Sequence, residues 1–111
     1  MYGNQGGDDR MSTRYYHEDS KSLDTLWELR EIDAWADGEG GWTWNDSFVL
    51  KRFRSDADDL KGLFLRVLAD VRGRPLPRGV FRVDDSDWDI LEVQRRRDGC
   101  PVYAMMRLTP S

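Results

Sequence analysis

Acidic residues at alternating positions are the first feature of this 111-residue chain that could do chemistry. Asp85, Asp87 and Asp89 match the first three ligand positions of an EF-hand loop, whose oxygens surround a calcium ion. Ile90 stands where that loop needs glycine for its sharp turn, and Arg96 stands where it needs a bidentate glutamate. The pattern therefore favours a solvated acidic turn between two strands over a calcium site.

The same region carries a degenerate metal-nuclease pattern. Nucleases of the PD-(D/E)xK type place an acidic residue on one strand and an acidic-x-Lys pair on the next, so that carboxylates hold Mg²⁺. Asp84 or Asp85 precedes Glu92, but Gln94 replaces the lysine that helps to orient the attacking water. A metal-dependent nuclease is thus an alternative, and the other interpretation of Glu92 is an exposed strand residue.

Nucleophilic catalysis finds little support in the residue types. The only histidine, His17, falls in a predicted tail, and the only cysteine, Cys100, lies beside Pro101 in a predicted turn. A nucleophile needs a base next to it, so we expect no catalytic residue, no metal and no cofactor. A single cysteine excludes an intramolecular disulfide and favours a reducing, cytoplasmic setting.

Charge is divided unevenly along the chain. Residues 1–50 carry 11 Asp/Glu against 4 Lys/Arg, a net charge of −7, whereas residues 51–111 carry 10 against 13, a net charge of +3. The basic half has two arginine clusters, formed by Arg72, Arg74, Arg78 and Arg82 and by Arg95, Arg96 and Arg97. Such clusters neutralise phosphates, with Trp88 or Tyr103 available to stack on bases. A nucleic-acid-binding accessory protein is therefore an alternative, although a sequence pI of about 4.9 opposes it.

Carboxylates follow one predicted hairpin and the start of the predicted helix. Alternate residues on one face of a strand lie roughly 6–7 Å apart, which is close to the spacing of phosphates along a nucleic-acid strand. The sequence therefore predicts an acidic nucleic-acid mimic that binds a basic protein surface, with a solubilising role as the alternative. The predicted partner-binding residues are Glu28, Glu31, Asp33, Asp37, Glu39, Asp46, Asp56, Asp58 and Asp59.

The elements that must position these side chains can be predicted from periodicity. The residue types of 22–36 also favour a helix. Alternation of apolar and polar residues on both sides of a glycine-rich loop instead favours strands at 25–36 and 42–53 joined as a hairpin. In the first strand, Trp27 and Leu29 fall on one face and Ile32 and Ala34 on the other. A bulge near Arg30 would bring both pairs to the same face. Trp42, Trp44, Phe48 and Leu50 share a strand phase, so we expect them to pack in the core against the helix.

The helix is the clearest predicted element. Ser55 suits the N-cap, and Asp56, Asp58 and Asp59 would fill the first turn, where the helix dipole favours negative charge. The predicted apolar stripe consists of Ala57, Leu60, Phe64, Val67, Leu68 and Val71. Gly73 suits the C-cap.

Three further strands are predicted after the helix, in GVFRVDD, in Trp88–Arg96 and in Val102–Leu108, with a turn at Asp98 and Gly99. The predicted fold is α+β, a small antiparallel sheet of about five strands in the order ββαβββ with one amphipathic helix on one face. We expect residues 1–20 to be a disordered tail and residues 21–111 to be a single domain. No stretch approaches the roughly 20 apolar residues of a membrane span, so we expect no membrane association.

The stretch Ile32–Leu50, IDAWADGEGGWTWNDSFVL, resembles a pattern in short proteins encoded by phages and other mobile elements. The resemblance implies a small accessory protein. Phage proteins of this kind include anti-CRISPR and anti-restriction inhibitors, which are often acidic and non-enzymatic. It thus favours an inhibitor that binds a host nucleic-acid-handling protein, with no small-molecule substrate. Self-association through exposed strand edges is a further alternative.

Overall fold

The computed structural model describes residues 12–108, apart from the side chain of Asp46. In this range the elements are β1 Tyr16–His17, β2 Thr25–Ala36, β3 Trp42–Ser55, α1 Leu60–Arg72, β4 Phe81–Asp84, β5 Ile90–Arg95 and β6 Pro101–Arg107. The predicted α+β class, an antiparallel sheet with a single helix, is confirmed for the described residues. The sheet has six strands there and not five.

The additional strand, β1, lies within the segment that the sequence predicts to be a tail. It pairs with the end of β3. The hydroxyl of Tyr15 donates a hydrogen bond to Asp70 on α1, and its ring meets Phe53 edge to face with the centroids 5.3 Å apart. Aromatic anchoring on the core therefore orders residues 12–20, while residues 1–11 of the predicted tail lie outside the described residues.

The strands lie in the order β1-β3-β2-β6-β5-β4, and every neighbouring pair is antiparallel. β4 forms one edge. At the other edge, β1 pairs only with Phe53 and Arg54, so that most of β3 has no strand on its outer side within the described chain. In this same part of the chain, no helix has the length and apolar character needed to cross a membrane.

The start of the helix differs from the prediction. Asp59 is the N-cap, and its carboxylate accepts a hydrogen bond from the Gly62 amide at 3.0 Å. Ser55 instead ends β3, where its hydroxyl donates to the Arg14 carbonyl and accepts from the Ala57 amide. The predicted cap at Ser55 is therefore wrong, because that hydroxyl holds the segment before β1 to the end of β3.

The end of the helix agrees with the prediction. Gly73 adopts φ 82°, a left-handed conformation that glycine reaches without a steric penalty. Its amide donates to the Ala69 carbonyl at 2.8 Å.

One hydrophobic core lies between α1 and one face of the sheet. Its buried members are Trp27, Leu29, Phe53, Leu63, Phe64, Val67, Leu68, Leu91, Val93 and Met105. The predicted stripe of α1 is confirmed in its middle but lacks Leu63, which is buried, and includes Val71, which is exposed. Burying each large side chain contributes about 2 kcal/mol, so this cluster is the main source of stability.

The β2–β3 hairpin bends over the face of the sheet that the helix leaves uncovered. The register shifts at two places, where Leu50 and Asn45 are extra residues on β3 with no partner on β2. Such bulges bend a strand and increase its twist. The bend brings the indole of Trp44 to Glu92 on β5, although β2 and β6 lie between these strands.

The predicted core position of the hairpin aromatics is consequently wrong. Trp42 and Trp44 point to the helix-free side, where their indole N–H groups donate to the Asp98 carbonyl at 3.1 Å and to Glu92 at 3.0 Å. Phe48 is exposed, and only Leu50 packs partly against the core. Each extra residue on β3 reverses the side to which the residues beyond it point. Trp42, Trp44 and Phe48 therefore do not share the face that simple alternation predicts.

Candidate partner-binding surface

β2 presents one continuous face that changes from buried to exposed along its length. Trp27 and Leu29 are buried beneath α1. The same face continues through Glu31, Asp33 and Trp35 because alternate residues of a strand point to the same side. These three side chains are exposed, and Trp35 retains 47% of its accessible surface. The helix therefore covers only the first part of this face.

Phe48 extends the exposed part of this face onto β3. It is paired directly opposite Glu31 and is 71% exposed. We use the term outward face for the set Glu31, Asp33, Trp35 and Phe48. Large aromatics that remain exposed on one face of a sheet commonly mark an interaction site. The outward face thus combines two aromatic anchors with two carboxylates.

The carboxylates of the outward face are available to a partner. Within the described residues, neither Glu31 nor Asp33 has an ion pair or a side-chain hydrogen bond. Exposed carboxylates of this kind can pair with arginine or lysine on another protein, and the aromatic rings exclude water from such pairs. The outward face can therefore bind a basic surface that is also partly apolar.

Glu28, also a predicted partner-binding residue, is buried at 2% exposure on the opposite side of β2. Its carboxylate accepts hydrogen bonds from Arg30 at 2.5 Å and from Arg52 at 2.6 Å. Burial raises the pKa of Glu28, but the bonds from Arg52 and Arg30 outweigh burial and lower the pKa overall. Arg30 also donates to the Ser47 hydroxyl, so Glu28 is the centre of a network that joins β2 to β3.

The hairpin loop uses another predicted residue for its own structure. The carboxylate of Asp37 accepts from the amides of Glu39 at 2.8 Å and Gly41 at 3.0 Å, and these bonds lower the pKa of Asp37. Gly38 and Gly40 adopt φ of 83° and 88°, which glycine tolerates and other residues rarely do. The loop is therefore locally determined, and the exposed Glu39 at its tip remains a candidate contact.

The three acidic residues before the helix do not share a surface with the loop. Asp59 caps α1, while Asp56 and Asp58 are exposed. The 14-residue strand β3 separates them from the loop, and each extended residue advances the chain by about 3.3 Å. The side chain of Asp46 lies outside the described residues, although its backbone pairs with Asp33. The predicted set of nine carboxylates is thus divided between two ends of the hairpin.

Two residues of the outward face, Trp35 and Phe48, were missed by sequence reasoning. Trp35 shares its strand phase with Glu31 and Asp33, and this signal was present in the sequence. Phe48 offered no such signal, because its direction depends on the extra residues Leu50 and Asn45.

The residues of the degenerate nuclease pattern do come together. Asp84 lies directly opposite Glu92 in the β4–β5 pair. The side-chain amide of Gln94 donates to both carboxylates, at 3.2 Å to Asp84 and 3.0 Å to Glu92. Glu92 also accepts from Trp44, and backbone bonding from Ser86 lowers the pKa of Asp84. The oxygens that a metal would need are therefore engaged by N–H donors.

The acidic run before β5 has structural partners as well. Asp87 accepts from the Asp89 amide, and Asp89 lies 3.3 Å from Arg107. Among the described residues, no group of three or more His, Cys, Asp or Glu side chains is arranged to hold a metal ion.

The two nucleophile candidates lie in different settings. Cys100 is buried, and its thiol contacts the Pro101 carbonyl at 3.6 Å. His17 on β1 is exposed and lines a cavity of about 620 Å³. Several side chains on this cavity wall are bonded to each other, as in the Tyr15–Asp70 and Tyr16–Asp24 pairs. This cavity lacks an evident pair of nucleophile and base within the described residues.

The arginine clusters are only partly brought together by the fold. Arg95 pairs with Asp98 at 3.1 Å, Arg72 donates to the Arg74 carbonyl, and Arg97 is exposed in the β5–β6 turn. Arg78, Arg82 and Arg96, from both clusters, line one groove at the β4 edge.

The fold and the outward face together describe a small α+β domain with an exposed surface that is both aromatic and acidic. Comparison of the chain with protein-family models, curated proteins and solved structures finds no match. Its function must therefore be inferred from its own geometry.

Proposed function

We propose that this protein is a non-catalytic inhibitor that binds a nucleic-acid-handling protein of a host cell through the outward face. The observation that carries the proposal is the exposure of Trp35 and Phe48 beside the unpaired carboxylates of Glu31 and Asp33. A hydrophobic anchor flanked by charges is the usual composition of an interface hot spot.

The spacing of the carboxylates supports a nucleic-acid mimic. Glu31 and Asp33 are alternate residues of one strand, so their backbone positions are roughly 6–7 Å apart. Phosphates along a nucleic-acid strand have a comparable spacing. A basic groove that binds DNA or RNA would accept these carboxylates in place of phosphates, and Glu39 at the loop tip would extend the acidic contact.

The resemblance of residues 32–50 to short phage proteins supports the inhibitor role. That stretch contains Asp33, Trp35 and Phe48, three of the four residues of the outward face. An anti-CRISPR-like or anti-restriction-like protein would bind its target inside the host cytoplasm and compete with nucleic acid for it.

A pull-down from host lysate with three baits tests the proposal. The baits are the wild-type protein, an outward-face variant with Glu31→Lys, Asp33→Lys and Phe48→Ser, and a control with Asp56→Lys and Asp58→Lys. All substituted side chains are exposed, so each bait should fold, which circular dichroism checks. We expect wild type and control to capture one nucleic-acid-handling protein that the outward-face variant does not capture.

Adding duplex DNA or salt to the captured complex tests whether the partner is bound at its nucleic-acid site. Captured protein should be released by duplex DNA, because a mimic and DNA compete for one site, and by 0.5 M salt, because exposed ion pairs are screened. Equal capture by the outward-face variant, or capture that DNA does not reduce, would show that the proposal is wrong. A gel shift of DNA by the protein alone would instead support the nucleic-acid-binding alternative.

A further inference from the structure

A second surface lies at the opposite edge of the sheet from β3, in a groove of about 390 Å³ between α1 and β4. Its floor is apolar and includes Leu65, Leu76 and Phe81. Leu65 is exposed although it lies on α1, where Leu63, Phe64, Val67 and Leu68 form the core. The groove therefore exposes apolar surface that the domain itself does not cover.

The rim of this groove is basic. Of the described residues that line it, four are cationic and none is acidic: Lys61, Arg78, Arg82 and Arg96. Arg96 donates to the Phe81 carbonyl, a neutral oxygen, so this bond leaves its charge uncompensated. Arg82 donates to Gln94, and its charge also acts on Asp84, so it contributes less to the groove. Of these four cationic residues, only Lys61 forms an ion pair within the described chain, with Asp85 at 3.9 Å. Both side chains are about half-exposed, and ion pairs of this kind contribute little to stability. The groove therefore favours an anionic occupant.

The edge of β4 adds main-chain recognition. The Arg96 amide donates to the Val80 carbonyl at 2.9 Å. Since hydrogen-bonded pairs alternate along an antiparallel ladder, the main-chain groups of Phe81 and Val83 point away from β5, towards the open edge. The Phe81 carbonyl accepts from the Arg96 side chain, which leaves the Phe81 amide and both main-chain groups of Val83 for an added strand. An open strand edge is a template for an added strand.

We propose that this groove binds an extended acidic segment of another protein, which adds to the sheet beside β4. On the side of such a segment that faces α1, an apolar residue would lie on the Leu65–Phe81 floor, and carboxylates two residues before and after it would lie beside Lys61 and Arg78. A polypeptide fits better than a nucleic acid because the floor is largely aliphatic and the edge offers main-chain groups. Nucleic-acid grooves instead use exposed aromatic rings for stacking, and Phe81 is half-buried.

This site is separate from the outward face, so the two proposals can fail independently. β4 and β3 lie towards opposite edges of the sheet. The protein would bind a basic surface with one edge and an acidic segment with the other. Phe48→Ser should leave the groove unaffected.

Fluorescence anisotropy with a fluorescein-labelled peptide TETFTET, whose two glutamates share a strand face with the phenylalanine, tests the groove. We expect saturable binding that weakens about tenfold for Arg78→Glu, since reversal of one contact charge changes affinity by this order. Arg97→Glu is the matched control, because Arg97 is exposed outside the groove, and it should bind as the wild type does. The same peptide methylated at alternate backbone nitrogens retains its carboxylates but cannot add as a strand, so it should also bind about tenfold more weakly.

Several results would overturn the proposal. The methylated peptide could bind equally well, which would exclude strand addition, or Arg97→Glu could weaken binding as much as Arg78→Glu, which would exclude the groove. A thymidine oligonucleotide that binds more tightly than the peptide, and is lost with Arg78→Glu, would assign the groove to nucleic acid. Loss of peptide binding at high protein concentration, because a second copy of this chain occupies the groove, would assign the groove to that copy.

Discussion

Glu31 and Phe48 lie directly opposite each other across the β2–β3 pair, and both side chains are exposed. Residues opposite each other in an antiparallel pair have Cβ atoms about 5 Å apart. The carboxylate and the ring are therefore held side by side by two paired backbones. This relationship allows the outward face to present charge and apolar surface to one partner without prior ordering of a loop.

The buried carboxylate of Glu28 leads to the first prediction. Glu28→Gln should lower the free energy of unfolding by on the order of 2 kcal/mol, because Arg30 and Arg52 then lose a charged acceptor beneath the hairpin. Urea unfolding at pH 7 measures this change. Glu31→Gln, on the exposed side of the same strand, should stay within about 0.5 kcal/mol of the wild type. Similar losses for both variants would contradict the structural role of Glu28.

Acid unfolding tests the same network by titration. The pKa of Glu28 is lowered in the folded state from its ordinary 4.5. Its contribution is therefore present above pH 4.5 and is lost as the pH falls through the lowered folded value. Wild type should lose more stability than Glu28→Gln between pH 5 and pH 3 in urea titrations. Parallel curves for the two proteins would argue against this assignment.

Tyr15 should affect the free energy of unfolding at alkaline pH. Burial raises its pKa from 10.0 to about 12, with further contributions from the hydrogen bond to Asp70 and the negative charge of Asp70. Stability from the protonated hydroxyl is complete below pH 10 and is lost as the pH rises through about 12. Tyr15→Phe should abolish this part of the alkaline decline, whereas Tyr103→Phe should retain it. Urea unfolding at pH 8, 10 and 12 provides the comparison.

The N-cap of α1 gives a direct test of the helix start. Asp59→Ala should cost about 1 kcal/mol, because the Gly62 amide loses its acceptor. Asp58→Ala removes an equal charge one residue earlier and should cost less than about 0.5 kcal/mol. Thermal and urea unfolding of both variants measures the difference. If Asp58 proved the more costly position, the helix would begin elsewhere.

The bend of the hairpin depends partly on Trp44. Trp44→Phe should cost about 1 kcal/mol, since it leaves Glu92 without the indole donor. The variant should also show faster hydrogen exchange at the β2 amides near the hairpin loop. Trp88→Phe, at an exposed position, serves as the control. Unchanged exchange in the Trp44 variant would mean that the bulges alone set the bend.

The fold class and most elements could be predicted because their signals are local. Alternation in the hairpin strands and the left-handed cap at Gly73 depend on neighbouring residues only. The bulge predicted near Arg30 is confirmed by the register shift between Leu29 and Arg30, but its extra residue, Leu50, lies on β3. The directions of Trp44 and Phe48 could not be predicted, because they depend on Leu50 and on a second extra residue, Asn45, whose residue types do not mark a bulge.

The same distinction explains the candidate site. Ser55 and Asp59 are both good caps, and the choice between them depends on a tertiary contact to the Arg14 carbonyl. The acidic residues were identifiable, but alternation alone does not show that Arg30 and Arg52 enclose the carboxylate of Glu28, whereas Glu31 is exposed. Glu31 is exposed because α1 covers only the first part of its face of β2.

Photo-crosslinking at position 48 tests the central claim most directly. p-Benzoylphenylalanine would replace Phe48 in one protein and Trp88 in the other, since the two side chains are similarly exposed at 71% and 69%. We predict that irradiation in host cells crosslinks position 48, and not position 88, to a single nucleic-acid-handling protein. The absence of that adduct at position 48, or the same adducts from both positions, would contradict the claim that the outward face binds the partner.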